Sequence, residues 1–338
     1  MNLRVVVVTY NSAAVIERCL RSCAGWPVTV VDNGSTDGTS ALVKNLALPH
    51  VALIENAANR GFAGAVNQAV ALAQEEFLLS LNPDVELVSG LPPICDALKA
   101  AGCGIATGRL LGEDGRDQAG FAIRRFPTPA SLAFEALGWN RIFPGNPVNR
   151  RYRYAGKDWD RPGEVEQPAG AFLAFRRALW AGLGGFDERF HPVWFEDVDF
   201  CKRASESGTR IYYLPMVTAR HTGGHSVRRM AWECREVAWY VSLLKYASKH
   251  FRSRGRRAVG AAVAVGSVFR ALFFTARRRS VRPVAVYAEV FRLGVRCVFS
   301  DVVKGGLGSR ELLQNNGAVE LEQIEHQRIG NRSHLHVL

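Results

Sequence analysis

The sequence holds no Cys-x-x-Cys pair, no internal repeat and no low-complexity block. Without cysteines at ligand spacing, a structural zinc site is disfavoured. Seven cysteines scattered through 338 residues do not form a disulfide framework. Cys19 and Cys23, four apart on an expected helix, read as reduced thiols of a cytosolic compartment. No Gly-x-Gly-x-x-Gly follows the first expected strand, which argues against a nicotinamide dehydrogenase. No targeting signal is read, because Leu3–Val8 is shorter than a signal-peptide core and runs at once into Thr9-Tyr10-Asn11-Ser12. The most hydrophobic long window, Ala258–Ala276, is rich in Ala and Gly and contains Arg270, so a poor transmembrane span is expected.

What is present is the composition of a folded globular chain, 48% apolar and 22% charged, long enough for one or two cores. Its net charge of +12 is unevenly placed. Residues 227–304 hold 17 Lys and Arg against 4 Asp and Glu, whereas residues 1–226 hold 23 of each sign. A basic segment beside a neutral one points to an anionic partner, nucleic acid or a membrane surface.

Continuous apolar runs alternate with helical patterns through the first hundred residues. Strands are expected at Leu3–Val8, Val28–Val31, Val51–Ile54 and Phe77–Leu81. Helices are expected at Ala13–Ala24, with Ser12 as N-cap, and at Asp37–Leu46 and Ala63–Ala73. That alternation implies an α/β, Rossmann-like, mostly parallel sheet with helices on both faces. A helix near Leu91–Ala101, a strand at Ile105–Gly108 and a hairpin through Gly112–Gly115 follow. Residues 126–163, rich in Pro, Gly, Arg and Trp, read as one long loop. Phe172–Phe175, Ile211–Leu214 and Thr218–His221 read as strands, and Arg176–Ala181 and Asp197–Glu206 as helices. The expected divisions are a catalytic domain at 1–226 (nucleotide-binding half 1–108, acceptor and base half 109–226), a basic amphipathic helical extension at 227–304 and a polar tail at 305–338.

In open α/β sheets ligands bind beyond the carboxyl ends of the strands, and polar residues gather there. Strand ends carry Thr9-Tyr10-Asn11, Asp32–Gly38, Asn56–Gly61 and Asn82-Pro83-Asp84. Tyr10 suits stacking on a base and Asp32 suits accepting a pyrimidine N3–H, although Asp32–Gly38 equally suits a turn and helix cap. Asp84, just past a strand at the expected phosphate position, suits Mg²⁺ or Mn²⁺, which binds one or two carboxylates plus phosphate oxygens. Further on, Trp194-Phe195-Glu196-Asp197-Val198-Asp199 places three carboxylates beside two aromatics. A helix macrodipole would stabilise them, or one could face a substrate hydroxyl as general base. His221 adds a metal or phosphate contact.

The ordered set closely resembles family 2 glycosyltransferases, and within them the bacterial rhamnosyltransferase-type branch. It comprises Val8-Thr9-Tyr10-Asn11, Val31–Gly38, Asn59–Ala63 with Asn67, Leu81–Asp84, Gly184–Glu188, Phe195–Asp199 and His221, and covers about residues 3–226. The resemblance implies a GT-A fold and inverting transfer of a sugar, rhamnose from dTDP-rhamnose, to a lipid-linked or cell-surface glycan. It implies donor contacts from Thr9, Tyr10, Asn11, Asp32, Asn59, Gly61, Asn67, Asn82 and Asp84. A divalent metal, Mg²⁺ or Mn²⁺, is implied at Asp84 and His221, and the catalytic base at Asp197 with Glu196 and Asp199 beside it. Trp194, Phe195 and Gly170 are expected on the acceptor side. The family's metal-binding Asp-x-Asp stands here as Asn82-Pro83-Asp84, one carboxylate short. A UDP-sugar donor such as UDP-galactofuranose, or a catalytically silent glycan-binding role, are the rival readings. Arginine clusters flanking Ala258–Ala276 favour an anionic membrane surface over nucleic acid, which lacks a binding motif here. The expectation is thus a peripheral protein on the inner face of the cell membrane.

Overall fold

The computed structural model describes residues 2–223 and 230–300; the polar tail, and residues 224–229 and 301–304, lie outside the described residues. Two compact units divide between Met230 and Ala231.

In the first unit, β1 (Leu3–Thr9), α1 (Ile16–Ser22), β2 (Val28–Asp32), α2 (Thr39–Asn45), β3 (Val51–Glu55), α3 (Gly61–Leu72) and β4 (Phe77–Leu81) alternate as expected. β2 and β4 are buried along their whole length, as continuous apolar strands covered on both faces must be. β1 pairs in parallel with β2 and with β4, and Thr9 lies opposite Asp32 while Val7 lies opposite Leu81. The carboxyl ends of these strands therefore open on one edge. α1 begins at Ile16 rather than Ala13, because the Ser12 carbonyl accepts from both Val15 and Ile16 N–H and its side chain turns to Tyr10.

The chain continues through β5 (Val85–Leu87), α4 (Pro92–Lys99), β6 (Cys103–Leu111), β7 (Ile123–Arg124), α5 (Pro129–Leu137), α6 (Trp139–Ile142) and α7 (Pro147–Tyr152). Then come β8 (Gly163–Glu164), β9 (Gln167–Pro168), β10 (Phe172–Arg176), α8 (Arg177–Leu183), α9 (Glu196–Glu206) and β11 (Arg210–His221). The expected hairpin forms, with Gly112 N–H donating to Arg116 O at 2.8 Å. The main sheet runs β3-β2-β1-β4-β10-β6-β11-β5, with β8 beside β11. β10 enters antiparallel to both β4 and β6, whereas β6 and β11 are parallel. Two strands expected near 211–221 are one, whose pairing shifts between Leu214 and Thr218. Pro215 lies in that shift, and having no N–H it cannot join the ladder.

The expected loop at 126–163 contains three short helices. Thr128 and Ser131 form a reciprocal capping box at the start of α5, with Pro129 in its first turn.

The second unit is three helices, α10 (Trp232–His250), α11 (Ser253–Arg278) and α12 (Arg282–Phe299). α11 and α12 approach closely at small residues: a Cβ on Gly260 would lie 2.8 Å from Gly294 O, and one on Gly294 2.7 Å from Ala264 N. By length and composition alone α11 is long and apolar enough to cross a membrane, with a mean hydropathy of 1.7 over its most apolar window.

Candidate active site

At the β1 and β2 ends, the Asp32 carboxylate is 3% exposed and its plane is set by three donors. Thr9 Oγ1 donates to its Oδ1 at 2.7 Å, Ser35 Oγ to the same oxygen at 2.5 Å, and Ser35 N–H to Oδ2 at 3.0 Å. Oδ2 keeps acceptor capacity for a ligand donor. Asn11, in the left-handed region at φ 53°, receives Thr36 N–H on Oδ1 at 2.8 Å and donates its own N–H to Ser35 Oγ at 2.8 Å. Tyr10 stays partly exposed between these two loops.

Asn59, Gly61 and Asn67 join α3 to a distant loop. Asn59 Oδ1 accepts Gly61 N–H at 2.8 Å, and Phe62 N–H donates to Pro192 O at 2.8 Å. Gly61 has φ +77°, and a Cβ there would lie 2.6 Å from His191 Nδ1. Asn67 donates through Nδ2 to Phe186 O at 2.9 Å and accepts Phe186 N–H on Oδ1 at 3.0 Å. Both ends of its amide are thus taken up in bracing the Gly184–Glu188 segment.

Past β4, Asn82 N–H donates to Ala171 O at 3.0 Å, tying the Asn82-Pro83-Asp84 turn to the start of β10. Asp84 and His221 are both buried, because β5 and β11 pair with Val85 opposite His221. Gln118 Nε2 donates to the His221 carbonyl at 2.7 Å, which turns Gln118 Oε1 towards His221 Nδ1, also at 2.7 Å. Nδ1 is therefore a proton donor, and in the neutral ring Nε2 carries the lone pair. Phe121 stacks on the ring, centroids 5.0 Å apart. Nε2 has no hydrogen-bond partner among the described residues and faces Asp84 Oδ1 at 3.5 Å, too far for a hydrogen bond. An imidazole lone pair and a carboxylate oxygen facing each other in a buried site fit a divalent cation between them. Among the described residues no three His, Cys, Asp or Glu side chains converge, so phosphate oxygens and water would complete the shell. A cleft beside Asp84 is also lined by Arg18, Glu86, Glu113 and Arg220, so its charges are of both signs.

The Asp197 side sits next to this turn. Ser80 Oγ donates to Gly170 O at 3.2 Å, and Gly170 N–H donates to Asp197 Oδ2 at 2.7 Å. Val198 N–H donates to Asp197 Oδ1 at 2.7 Å. Gly170 permits this approach, because a Cβ there would lie 3.2 Å from Asp197 Cβ. Burial pushes the Asp197 carboxyl up, and the two backbone donors and the Arg124 charge only partly offset it. Trp194 and Phe195 precede it in the left-handed region, at φ 80° and 72°. Bulky residues adopt that conformation at a cost of roughly 1–2 kcal/mol each, so the rest of the site must hold this corner.

The neighbouring carboxylates differ. Glu196 is 3% exposed and its Oε2 has no partner among the described residues. Burial first, and Asp197 second, push its carboxyl well above the usual range. Asp199, fully buried, accepts Arg203 Nε at 2.8 Å, and Arg203 also donates to Leu183 O and Gly185 O at 2.7 Å each. Asp199 thereby braces the loop that Asn67 holds from the other side. The motif reading missed Gln118, Phe121, Arg124 and Arg203; only Arg203, four residues after Asp199 on one helix, left a spacing signal.

The Glycosyl transferase family 2 model matches residues 4–183. The chain is 32% identical to the N-acetylglucosaminyl-diphospho-decaprenol L-rhamnosyltransferase of Mycobacterium tuberculosis over 251 residues, 67% of this chain and 78% of the relative. It is 26% identical to the rhamnosyltransferase WbbL of Escherichia coli over 158 residues, 46% of this chain and 56% of the relative. Among solved structures, S. aureus TarS 1–349 superposes with a TM-score of 0.52 at 17% identity, covering 88% of this chain and 81% of that one. That last likeness concerns the fold alone.

Proposed function

The chain belongs to glycosyl transferase family 2, and from that premise we propose that it moves L-rhamnose from dTDP-rhamnose, with inversion, to a hydroxyl of a lipid-diphosphate-linked glycan. The enzyme class follows from the family; the sugar, nucleotide and acceptor are our reading. It is supported by the 32% identity to an enzyme named for L-rhamnosyl transfer onto N-acetylglucosaminyl-diphospho-decaprenol.

The observation that carries the mechanism is the linkage of Asp197 to the Asp84 turn through Gly170 and Ala171. Asp197 stands as general base, its basicity raised by burial, and takes the proton of the acceptor hydroxyl. The acceptor oxygen then attacks the anomeric carbon, the glycosidic bond forms, and the bond to the nucleoside diphosphate breaks on the opposite face. Asp32 and Tyr10 hold the nucleoside, and Asn11 shapes the loop around it. Asp84 and His221 would hold the divalent ion, which when bound neutralises charge on the leaving diphosphate.

Association with the inner face of the membrane is proposed for the second unit. On α11, Val265, Val268, Phe269, Leu272 and Phe273 recur at helical spacing and remain 47–67% exposed. Arginines stand at both ends of that helix, the pattern of an interfacial helix on anionic lipid.

The test is transfer of labelled rhamnose from dTDP-rhamnose to polyprenyl-diphosphate N-acetylglucosamine in detergent with Mg²⁺. Labelled lipid is expected, with chelation abolishing its formation and Asp84→Ala demanding more Mg²⁺. Transfer from UDP-galactofuranose and not from dTDP-rhamnose would overturn the donor assignment. Donor binding without turnover on any lipid-linked acceptor would overturn the proposed transfer.

A further inference from the structure

We propose that the excursion of the first unit around α5, α6 and α7 is a second lipid-contacting surface, independent of the C-terminal helices. In it Leu137, Trp139, Ile142 and Phe143 enter the interface of an anionic bilayer while Arg141, Arg150 and Arg151 meet its headgroups.

The first observation is an inverted polarity. Leu137, Trp139, Ile142 and Phe143 are 36%, 45%, 65% and 51% exposed, within seven residues of one another. Elsewhere in the first unit, the exposed large apolar residues among those described are isolated: Leu72, Val88, Phe121 and Met216. At the same place two asparagines are buried. Asn140 is buried, donating to Glu135 Oε2 at 2.8 Å and accepting Asn146 Nδ2 at 3.0 Å, and Asn149 is buried with its amide donating to Pro144 O at 2.7 Å. A helix end facing water would present the asparagines and bury the aromatics. Gly138 enforces the arrangement: at φ 77° it ends α5 and starts α6, swinging Trp139 outward. The Trp139 and Phe143 rings then pack on each other, centroids 4.8 Å apart. Apolar groups turned out and amides turned in are the polarity of a surface whose solvent is lipid.

The second observation is charge. Residues 129–157 contain five Lys and Arg against one acidic residue, Glu135, which lies beside Arg153, within a unit of balanced charge. Arg141, Arg150 and Arg151 are exposed, and none enters an ion pair among the described residues. Aromatic side chains with an apolar body and a basic rim match the bilayer interface, where rings sit at headgroup depth and arginines reach the phosphates.

The excursion also abuts the base side of the site. Arg125 N–H donates to Tyr152 O at 2.9 Å, and Arg153 Nη1 donates to Gly120 O at 3.3 Å, so α7 is fastened to the β7 segment. β7 pairs with β9, and β9 leads directly to Gly170 and its bond to Asp197. A lipid-borne acceptor would therefore meet the base where the protein meets the lipid. That last step rests on the acceptor proposed above; the surface itself does not.

Hydrogen–deuterium exchange on the full chain tests it, with vesicles of phosphatidylcholine alone or mixed with phosphatidylglycerol. Peptides covering 132–152 should exchange at least threefold more slowly with the anionic vesicles and not with the neutral ones. Ile142→Glu combined with Phe143→Glu should remove that protection and lower vesicle partitioning about tenfold, with donor hydrolysis unchanged. Protection confined to 231–300 would overturn the proposal. So would protection of 132–152 that grows with protein concentration in the absence of lipid, since the face would then be covered by a second copy. No sugar substrate enters the exchange measurement, so a wrong donor or acceptor assignment leaves its outcome untouched.

Discussion

Glu196 and Asp197 are adjacent and share the first turn of α9, yet their oxygens meet different surroundings. Asp197 has a backbone N–H on each oxygen and Arg124 nearby, while Glu196 has an oxygen with no partner among the described residues. Asp197→Asn is expected to lower kcat by about 10²–10⁴ while leaving donor affinity within about twofold; near-normal turnover would remove Asp197 as base. For Glu196 the expectation concerns stability. Burial raises its carboxyl, so the folded chain keeps a proton over a pH range in which the unfolded chain releases it. That contribution is complete below the unfolded carboxyl value, about pH 4.3, and is lost as pH rises towards the folded value. Glu196→Gln abolishes the titration, so its melting temperature relative to wild type should climb between acid and neutral pH. Parallel melting curves across that range would contradict it. At this scale the sequence showed which residue types gather, but not their division of work. Locally only the i+4 spacing of Arg203 marks Asp199, whereas the Gly170 bond to Asp197 exists only in three dimensions. Gln118, 103 residues from His221, had no local signal at all.

Among the elements, β4 came out with the bounds that its apolar run predicts, because a strand buried on both faces must be apolar from end to end. The stretch read as a loop failed for the opposite reason: α6 has four residues and α7 six, too few turns for any periodicity to emerge. The local helix starts there are Thr128-Pro129 and Asn146-Pro147, each an N-cap residue before a proline in the first turn. The α11–α12 crossing was equally hidden, since two glycines 34 residues apart become meaningful only once the helices touch. Gly294→Val would drive a side chain into the backbone of Ala264, and overpacking of this kind costs about 1–3 kcal/mol. A lower urea midpoint for helix loss is the expected result, and an unchanged one would refute the close contact.

Across the whole sequence, net charge is segregated. The strand ends that gather the site's carboxylates belong to a stretch with 23 charges of each sign, while residues 227–304 carry a large basic excess. That segregation was readable from composition; the exposed stripe on α11 that accompanies it was not, because periodicity cannot tell which face a neighbour covers. Partitioning of the full chain onto phosphatidylglycerol vesicles should fall at least tenfold between 50 and 500 mM salt, as screening shortens the reach of the arginines. Salt-independent binding, or equal binding to neutral vesicles, would mean that apolar insertion alone holds it.

The double anchoring of Asp197 also bears on which product forms. A sugar acceptor offers several hydroxyls of nearly equal acidity, and a carboxylate on a swinging side chain could take a proton from any of them. With both oxygens bonded to backbone amides of β10's entry and α9's first turn, Asp197 acting as the proposed base would have one position. Regioselectivity would then be a property of the backbone: the hydroxyl to react would be the one the acceptor's docking brings to a fixed point.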